Sequence, residues 1–580
     1  MHRSSDFSRR VGFLLGTVFL VAIFFIGRLI VIQVVDAKKL NVEAETHRTI
    51  SRVLYGVRGD VVDANGIVLA STVDRYDITA SPQYTVDFER DDATVTVDQA
   101  LTEIAELTDT KVATLRAAIA QDPSADFAYL VKGVTIDVLR QVQALGVPWV
   151  YYDLRPTRTY PRGAVGGNLV GFMGTDGPLA GIELSKDSCL AATNGVLTYA
   201  KGRDGIRIPG STLEQTAPVN GGTIHLTIDS DLQWFSQKVV SARGKELGAA
   251  WATALIVRIE DGHILAAADW PSVDPNNVDG SKVDDMGARL FSSPYEPGSV
   301  VKPITVASMV DQGLLKPSDG FTVPGRFPVG EGKYIVDAFE HGTERWTTTG
   351  ILLNSSNIGM NVMAQKLNKR ARYDILTSFG IGQKTSVNFL GEDSGFIASP
   401  DVVDKVTQYT EIFGQGITTT SAQIASAYQT LGNHGIRKPL TLISGCEKPD
   451  GTVIEQPPTE GVQVVSAAAA DQTISMMETV AKNGFLKTLV GVPGYRIAIK
   501  SGTAEVARNG VYTDDRIISV AGVAPAENPQ FAIVVTYGLP KFERTSLGAA
   551  TSFATLMGQA LKYYRIPPST GKSENWPIEW

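Results

Sequence analysis

Cysteine and histidine are scarce in this sequence. The two cysteines, Cys189 and Cys446, stand far apart, and the geometric demands of a disulfide weigh against their pairing. The six histidines are scattered, none at the helical spacing of a metal pair, so no metal site is expected. There is no long basic run and the net charge is −8, which argues against a nucleic-acid partner. Beyond the N-terminus no second apolar run is long enough to cross a membrane. What remains is ordinary globular material, 43% hydrophobic and 20% charged, in a 580-residue chain whose length suggests two or three domains.

The one long hydrophobic run is informative. No charge interrupts Val11 to Gly27, and the apolar character resumes after Arg28 as "LIVIQVV". A helix over 11–35 is about 37 Å long, against a hydrocarbon core of roughly 30 Å. Arg28 can snorkel to the outer interface. Arg3, Arg9 and Arg10 precede the run and Asp36 follows it, which leaves residues 1–10 as a cytoplasmic tail and the bulk of the chain outside. "VDA" at Val35 to Ala37 loosely resembles a signal-peptide cleavage site. The apolar stretch is too long for that reading, so a retained anchor is expected.

Residues 36–220 alternate strand-like runs such as "YDITAS" with modest helices such as "TIDVLRQVQAL". They hold no reactive cluster and read as an extended module that keeps the next domain away from the membrane. A new unit begins at 221 and runs to 566. It opens on a strand and helix, "HLTIDSDLQWFSQKVVSA", followed by a hairpin turning at Glu260, Asp261 and Gly262. A helix after Ser299 carries Val306, Met309, Val310 and Leu314 on one face. Three strand candidates, "YRIAIKSGT", "RIISVAGVAP" and "QFAIVVTYG", close the unit. One sheet from the hairpin and these strands, with helices encoded between, gives an α+β domain. Residues 567–580 read as a polar linker.

Three short motifs follow one another in that unit: Ser299-Val300-Val301-Lys302, Ser355-Ser356-Asn357, and Lys500-Ser501-Gly502-Thr503. Singly they are weak. Ser-x-x-Lys recurs at Ser569 to Lys572, Ser-x-Asn recurs at Ser386 and Ser573, and each residue has a plain structural use as cap, surface lysine or loop donor. In order they describe chemistry. A serine needs a base to take its proton, and Lys302 lies on the same helix face as Ser299. Lysine serves as base when burial and a second cation lower its pKa; Lys500 is the candidate cation. Ser355 can relay a proton, and Asn357 can hold Lys302 while donating to a substrate amide. The Ser299 and Thr503 amides can receive an oxyanion. Ser501 offers a hydroxyl, and Gly502 leaves room for a backbone-like substrate.

The triplet resembles that of penicillin-binding proteins and β-lactamases. The likeness extends to "RGDVVDANGIVLA" from Arg58, "RTYPRG" from Arg158, "AGIE" from Ala180, "TIDSDLQ" from Thr227, "DPNN" from Asp274, "FGIG" from Phe379 and "FGQGITTTSAQIASAY" from Phe413. On these the chain is identified as a class B penicillin-binding protein, similar to the division-type septal transpeptidase. Ser501 stands where the family usually has threonine, Ala64 where it has arginine and Ala192 where it has glycine. The resemblance implies a penicillin-recognition fold of α+β class, without a cofactor, behind an N-terminal pedestal or dimerisation-like module. It implies cross-linking of peptidoglycan stem peptides through an acyl-enzyme on Ser299 with release of D-alanine, and inhibition by β-lactam antibiotics. It further implies a polytopic glycan-polymerising partner, bitopic division proteins and a place at the septal cell membrane. The alternatives are an elongation-type transpeptidase, or a β-lactam sensor or scaffold of the same fold.

Overall fold

The computed structural model describes residues 4–40, 49–201, 207–508 and 510–580. The chain forms two compact units: residues 1–57 with 192–220, and residues 58–191 with 221–580. In the first unit α1 (Ser4–Ile30) continues through Val31–Val35, and its apolar span, Phe7–Val35, has none of its surface buried in protein. At 29 residues it is longer than a bilayer core requires. Arg28 falls in its last turn, as expected, while Arg3 lies outside the described residues. The unit also contains an antiparallel sheet of Thr49–Leu54, Gly195–Lys201 and Arg207–Thr216.

Sequence places a boundary at 220. In space, residues 58–191 belong with residues 221–580, and the reason is a shared six-stranded sheet. Its order is Val453–Ile454, Ile443–Glu447, Thr223–Leu226, Val61–Val62, Val68–Val73 and Thr157–Thr159. Thr223–Leu226 stands at the join, parallel to Val61–Val62 on one side and antiparallel to Ile443–Glu447 on the other. Beside it the Glu183 carboxylate, fully buried, accepts from Arg58 at 2.8 Å and Arg158 at 2.7 Å. The "RGD", "RTYPRG" and "AGIE" pieces thus meet in one Arg–Glu–Arg cluster. Removing one partner of such a buried cluster strands a charge and costs about 3–5 kcal/mol.

The same sheet overturns the expectation for the cysteines. Cys446 pairs across from Ile224, the Gly222 amide donates to the Cys189 carbonyl at 2.8 Å, and Cys189 and Cys446 are disulfide-bonded with their Cα atoms 6.3 Å apart. A Cβ on Gly222 would sit 3.1 Å from both sulfurs, so glycine there leaves the bridge its space. Residues 76–154 add a lobe with its own core, in which Tyr76–Ala80 lies between Ala128–Val134 and Val150–Leu154. Ile78, Leu101, Ile104 and Trp149 fill that core.

After residue 221 α2 (Ser230–Leu247) precedes a five-stranded antiparallel sheet of β1 (Trp251–Arg258), β2 (Ile264–Trp270), β3 (Ala498–Arg508), β4 (Val511–Ala524) and β5 (Phe531–Gly538), in the order β2-β1-β5-β4-β3. The hairpin and the three closing strands are where their patterns put them. Between them come α3 (Lys302–Asp311), α4 (Thr348–Leu353), α5 (Asn357–Met363), α6 (Ser421–Gly432) and α7 (Ala467–Asn483); α8 (Leu547–Tyr563) follows β5.

Two expectations fail here. No single apolar face exists on α3: it is buried all round from Lys302 to Met309, because it packs against α6 and α7, and Leu314 lies beyond its end. Nor are residues 567–580 a free linker. Trp576 packs on the main core, and the Ile578 carbonyl accepts from the Thr347 amide at 3.0 Å. Two tryptophans and an isoleucine among polar residues supply the contacts that overall composition hid.

Replacing both bridged cysteines, Cys189→Ser with Cys446→Ser, should lower the melting temperature. The loop closed is long, and the chain-entropy argument sets the loss at about 5 kcal/mol. Calorimetry of the double variant checks this; an unchanged melting temperature would mean that the shared sheet alone holds the two segments.

Candidate active site

The turn that carries Ser299 is set by glycines. Gly298 adopts φ +61°, and its amide donates to the Gly414 carbonyl at 2.9 Å. Gly414, at φ +89°, comes so close that a Cβ there would lie 2.1 Å from the Gly298 oxygen. This interlock fixes a single 3-10 turn, Gly298–Val301, which runs directly into α3. Ser299 sits in that turn and caps neither helix, so the plain capping role does not apply. It opens onto a cleft of about 460 Å³ that is also lined by Ser355, Asn357, Ser501 and Thr503, with Phe339, Phe413 and Phe485 as apolar walls. Phe413 opens the "FGQGITTTSAQIASAY" piece, whereas nothing in the local pattern of Phe339 or Phe485 separates them from core residues.

Both lysines are buried, Lys302 at 0% and Lys500 at 1% exposure. Lys302 Nζ donates to Asn357 Oδ1 at 2.8 Å and to the Ser355 carbonyl, and lies 3.4 Å from Ser355 Oγ. Lys500 Nζ donates to the same Ser355 Oγ at 2.9 Å and to the Ser501 carbonyl at 3.2 Å. One hydroxyl therefore stands between two amines. Burial first, and the Lys500 charge second, push Lys302 well below the ordinary lysine range, against the opposite pull of Asp337. Burial takes Lys500 down to about 7. An amine that is neutral near the nucleophile can accept the serine proton.

Ser355 holds this position at φ +53°, a conformation a non-glycine residue adopts at a cost of about 1–3 kcal/mol. Its neighbours supply the restraint. Ser356 Oγ accepts from the Gly359 amide at 2.7 Å as the N-cap of α5 and donates to Asp337. Asp337 also accepts from the Asn357 and Ile358 amides. His341 Nε2 lies 3.0 Å from the other Asp337 oxygen, and its Nδ1 lies 2.9 Å from the Gly342 carbonyl. Sequence reasoning missed Asp337 and His341; the signal available was an acid and an imidazole four residues apart shortly before the Ser-Ser-Asn motif.

Gly502 is placed differently from expectation. It does not line the cleft, and a Cβ there would lie 2.5 Å from Ser519 Oγ and 2.9 Å from the Pro297 carbonyl. Glycine lets β3 press against the Ser299 turn rather than making room for substrate. The repeated motifs separate cleanly from the site. Ser569 Oγ accepts from the Arg496 amide and Ser386 Oγ donates to the Leu440 carbonyl, both as loop ties outside the cleft. Among the described residues no group of histidine, cysteine and carboxylate side chains is placed to hold a metal ion.

Residues 252–558 match the penicillin binding protein transpeptidase domain, and residues 54–178 the penicillin-binding protein dimerisation domain. The chain is 32% identical to penicillin-binding protein PbpB of Mycolicibacterium smegmatis, over 96% of this chain and 90% of that protein. It is 30% identical to peptidoglycan D,D-transpeptidase FtsI of Escherichia coli K12, over 98% and 95%. A peptidoglycan synthetase from Bifidobacterium adolescentis superposes with a TM-score of 0.73 at 32% identity, covering 92% of this chain and all of that one. Penicillin binding protein 3 of Mycobacterium tuberculosis, complexed with ampicillin, gives 0.70 at 28%, covering 91% of this chain and 100% of that one.

The two lysines predict a bell-shaped pH dependence for the second-order reaction of Ser299 with an acylating probe. Loss of the Lys302 proton creates the base and raises the rate. Loss of the Lys500 proton removes the cation that draws the probe's carboxylate into the cleft, so the rate falls above about 7. A carboxylate bound beside Lys500 raises its pKa, so the descending limb at saturating probe lies at higher pH. Stopped-flow fluorescence measures both limbs; a profile flat from about pH 5 to about pH 9 contradicts the assignment.

Proposed function

The chain belongs to the class B penicillin-binding proteins, and we propose from that premise that it is a peptidoglycan D,D-transpeptidase whose nucleophile is Ser299. The observation that carries this reading is the Ser355 hydroxyl, hydrogen-bonded to Lys500 and beside Lys302, facing the same cleft as Ser299.

Ser299 Oγ attacks the penultimate D-alanine carbonyl of a donor stem peptide while Lys302 Nζ takes its proton. The carbonyl oxygen becomes an oxyanion, received by the Ser299 and Thr503 amides. The C–N bond then breaks, and the proton passes from Lys302, by way of Ser355, to the leaving D-alanine nitrogen. An amine of a neighbouring stem peptide attacks the ester, a new amide forms, and the proton it sheds returns to Ser299. Lys500 and the Ser501 hydroxyl hold the donor's terminal carboxylate; Asn357 steadies Lys302 and donates to the peptide backbone. A β-lactam follows the first half and stays as an ester, its leaving group still tethered.

Residues 11–35 anchor the chain in the cell membrane, and the basic tail before them supports a cytoplasmic N-terminus with the catalytic part outside. The Cys189–Cys446 bond supports that side, since cytosolic thiols are kept reduced. The FtsI-type relatives favour a septal role over side-wall elongation. There the non-catalytic module is a docking element for a polytopic glycan-polymerising enzyme and bitopic division proteins. Turnover of a stem-peptide or thioester analogue excludes the sensor or scaffold alternative.

Labelled penicillin is expected on Ser299, mapped by peptide mass spectrometry. Ser299→Ala should abolish it while changing stability by no more than about 0.5 kcal/mol. Lys302→Arg should lose acylation almost completely, because a guanidinium cannot release its proton near neutral pH; near-normal rates would remove Lys302 as base. Depleting the protein should give cells that elongate without completing septa, with a fluorescent fusion at mid-cell. Rounded cells with a side-wall fusion would reject the septal role and leave the chemistry standing.

A further inference from the structure

Residues 573–580 touch the supports of both walls of the cleft. On one side Ser475 of α7 donates to Glu574 at 2.9 Å and accepts from Trp576 Nε1 at 2.8 Å, and Lys482 donates to Ser573. That helix ends at Asn483, which lines the cleft together with Gly484 and Phe485. On the other side the segment runs along Glu344–Thr347. Glu579 forms a β-bridge with Trp346, the Thr347 amide donates to the Ile578 carbonyl, and Thr347 Oγ1 donates to the Pro577 carbonyl at 2.6 Å. Thr347 is the N-cap of α4, and α4 ends two residues before Ser355. Its third residue is Gly350, where a Cβ would lie 2.0 Å from the Ile578 carbonyl oxygen. The helix thus has glycine where this segment crosses it.

The segment is pinned by its last tryptophan. The Trp580 ring lies against Gly320, where a Cβ would approach it to 2.4 Å, and beneath the Arg345 guanidinium at 4.1 Å. Its Nε1 donates to the Phe321 carbonyl at 3.1 Å. The neighbouring Trp346 packs against His341, ring centres 5.1 Å apart and planes tilted by 46°, and His341 holds Asp337. A continuous set of contacts therefore runs from Trp580 and Glu579 through Trp346, His341 and Asp337 to Asn357 and Lys302. Trp580 is itself 52% exposed, so the ring contributes little to the hydrophobic core.

We propose that residues 573–580 form a strap that positions the Ser355–Asn357 turn against Lys302, with Trp580 as its anchoring residue. Such a strap acts on the acylation step through geometry: it fixes how α4 delivers Ser355 and how α7 delivers the opposite wall. It makes no contact with substrate, so Trp580 is a positioning residue and not a catalytic one. The inference rests on Ser299 being the acylated nucleophile.

The test uses the full-length chain in detergent and a fluorescent penicillin under stopped flow. It separates the dissociation constant of the initial complex from the rate constant of acylation, with active-site titration giving the competent fraction. Wild type must label on Ser299; if it does not, the functional reading itself fails before the strap is tested. In Trp580→Ala the acylation rate constant should fall about tenfold while the dissociation constant stays within about twofold, as for loss of positioning at a reacting centre. Trp580→Phe, which keeps the ring under Arg345, should recover most of the rate. An unchanged acylation rate constant in Trp580→Ala overturns the proposal. So does a loss that appears wholly as a smaller titratable fraction, since that marks a stability effect alone.

Discussion

Two ammonium groups cannot both stay charged around one hydroxyl in a site closed to water. At an effective dielectric typical of such sites, neighbouring like charges repel by about 4 kcal/mol at 4 Å, and desolvation adds to the penalty. Lys302 and Lys500 meet at Ser355 under these conditions, so one of them must give up its proton, and the acid and base roles separate without any further group. Much of the surrounding structure serves that meeting. α3 is buried on every side, which keeps water from Lys302. β3 presses against the Ser299 turn through Gly502, which brings Lys500 in from the sheet edge. The Asp337 carboxylate builds the turn that follows the left-handed Ser355, and at the same time partly restores the basicity of Lys302. The carboxylate that builds the turn is thus also the counterweight to the second lysine.

Much of this was legible in residue order, and the unreadable parts share a cause. The hairpin at Asp261, the three closing strands and the anchor announce themselves through local period and turn chemistry. The ordered triplet announces the site because each motif carries its own local context. Asp337 and His341 act through the fold rather than through a motif of their own: their partners are Ser356, Asn357 and the Gly342 carbonyl, and a lone Asp and His in a loop look like any others. The disulfide and the segment 573–580 depend on contacts with strands and helices far away in sequence. Gly502 was placed at the right spot for a reason that only the packed turn reveals.

The pieces that carried the family resemblance in the N-terminal module acquire physical content in the same way. Arg58, Arg158 and Glu183 have no visible chemistry, yet together they are one buried charge cluster beside the sheet shared with the catalytic part. Ala64, where arginine is usual, lies in the turn that the Asp63 carboxylate organises by accepting from the Asn65 and Ile67 amides. The turn is built by backbone donors, so the missing guanidinium leaves it intact.

The bond between Cys189 and Cys446 makes most of the catalytic part a covalent ring. Ser299 and Ser355 lie inside that ring and Lys500 outside it. A single proteolytic cut between the cysteines, for instance at the exposed Lys282, opens the ring without releasing a piece. The two products, one carrying Cys189 and the other Cys446 with Ser299, remain a single molecule until a thiol separates them. Such a nick leaves Ser299 joined to the fragment that bears the apolar helix Phe7–Val35 by a single sulfur–sulfur bond.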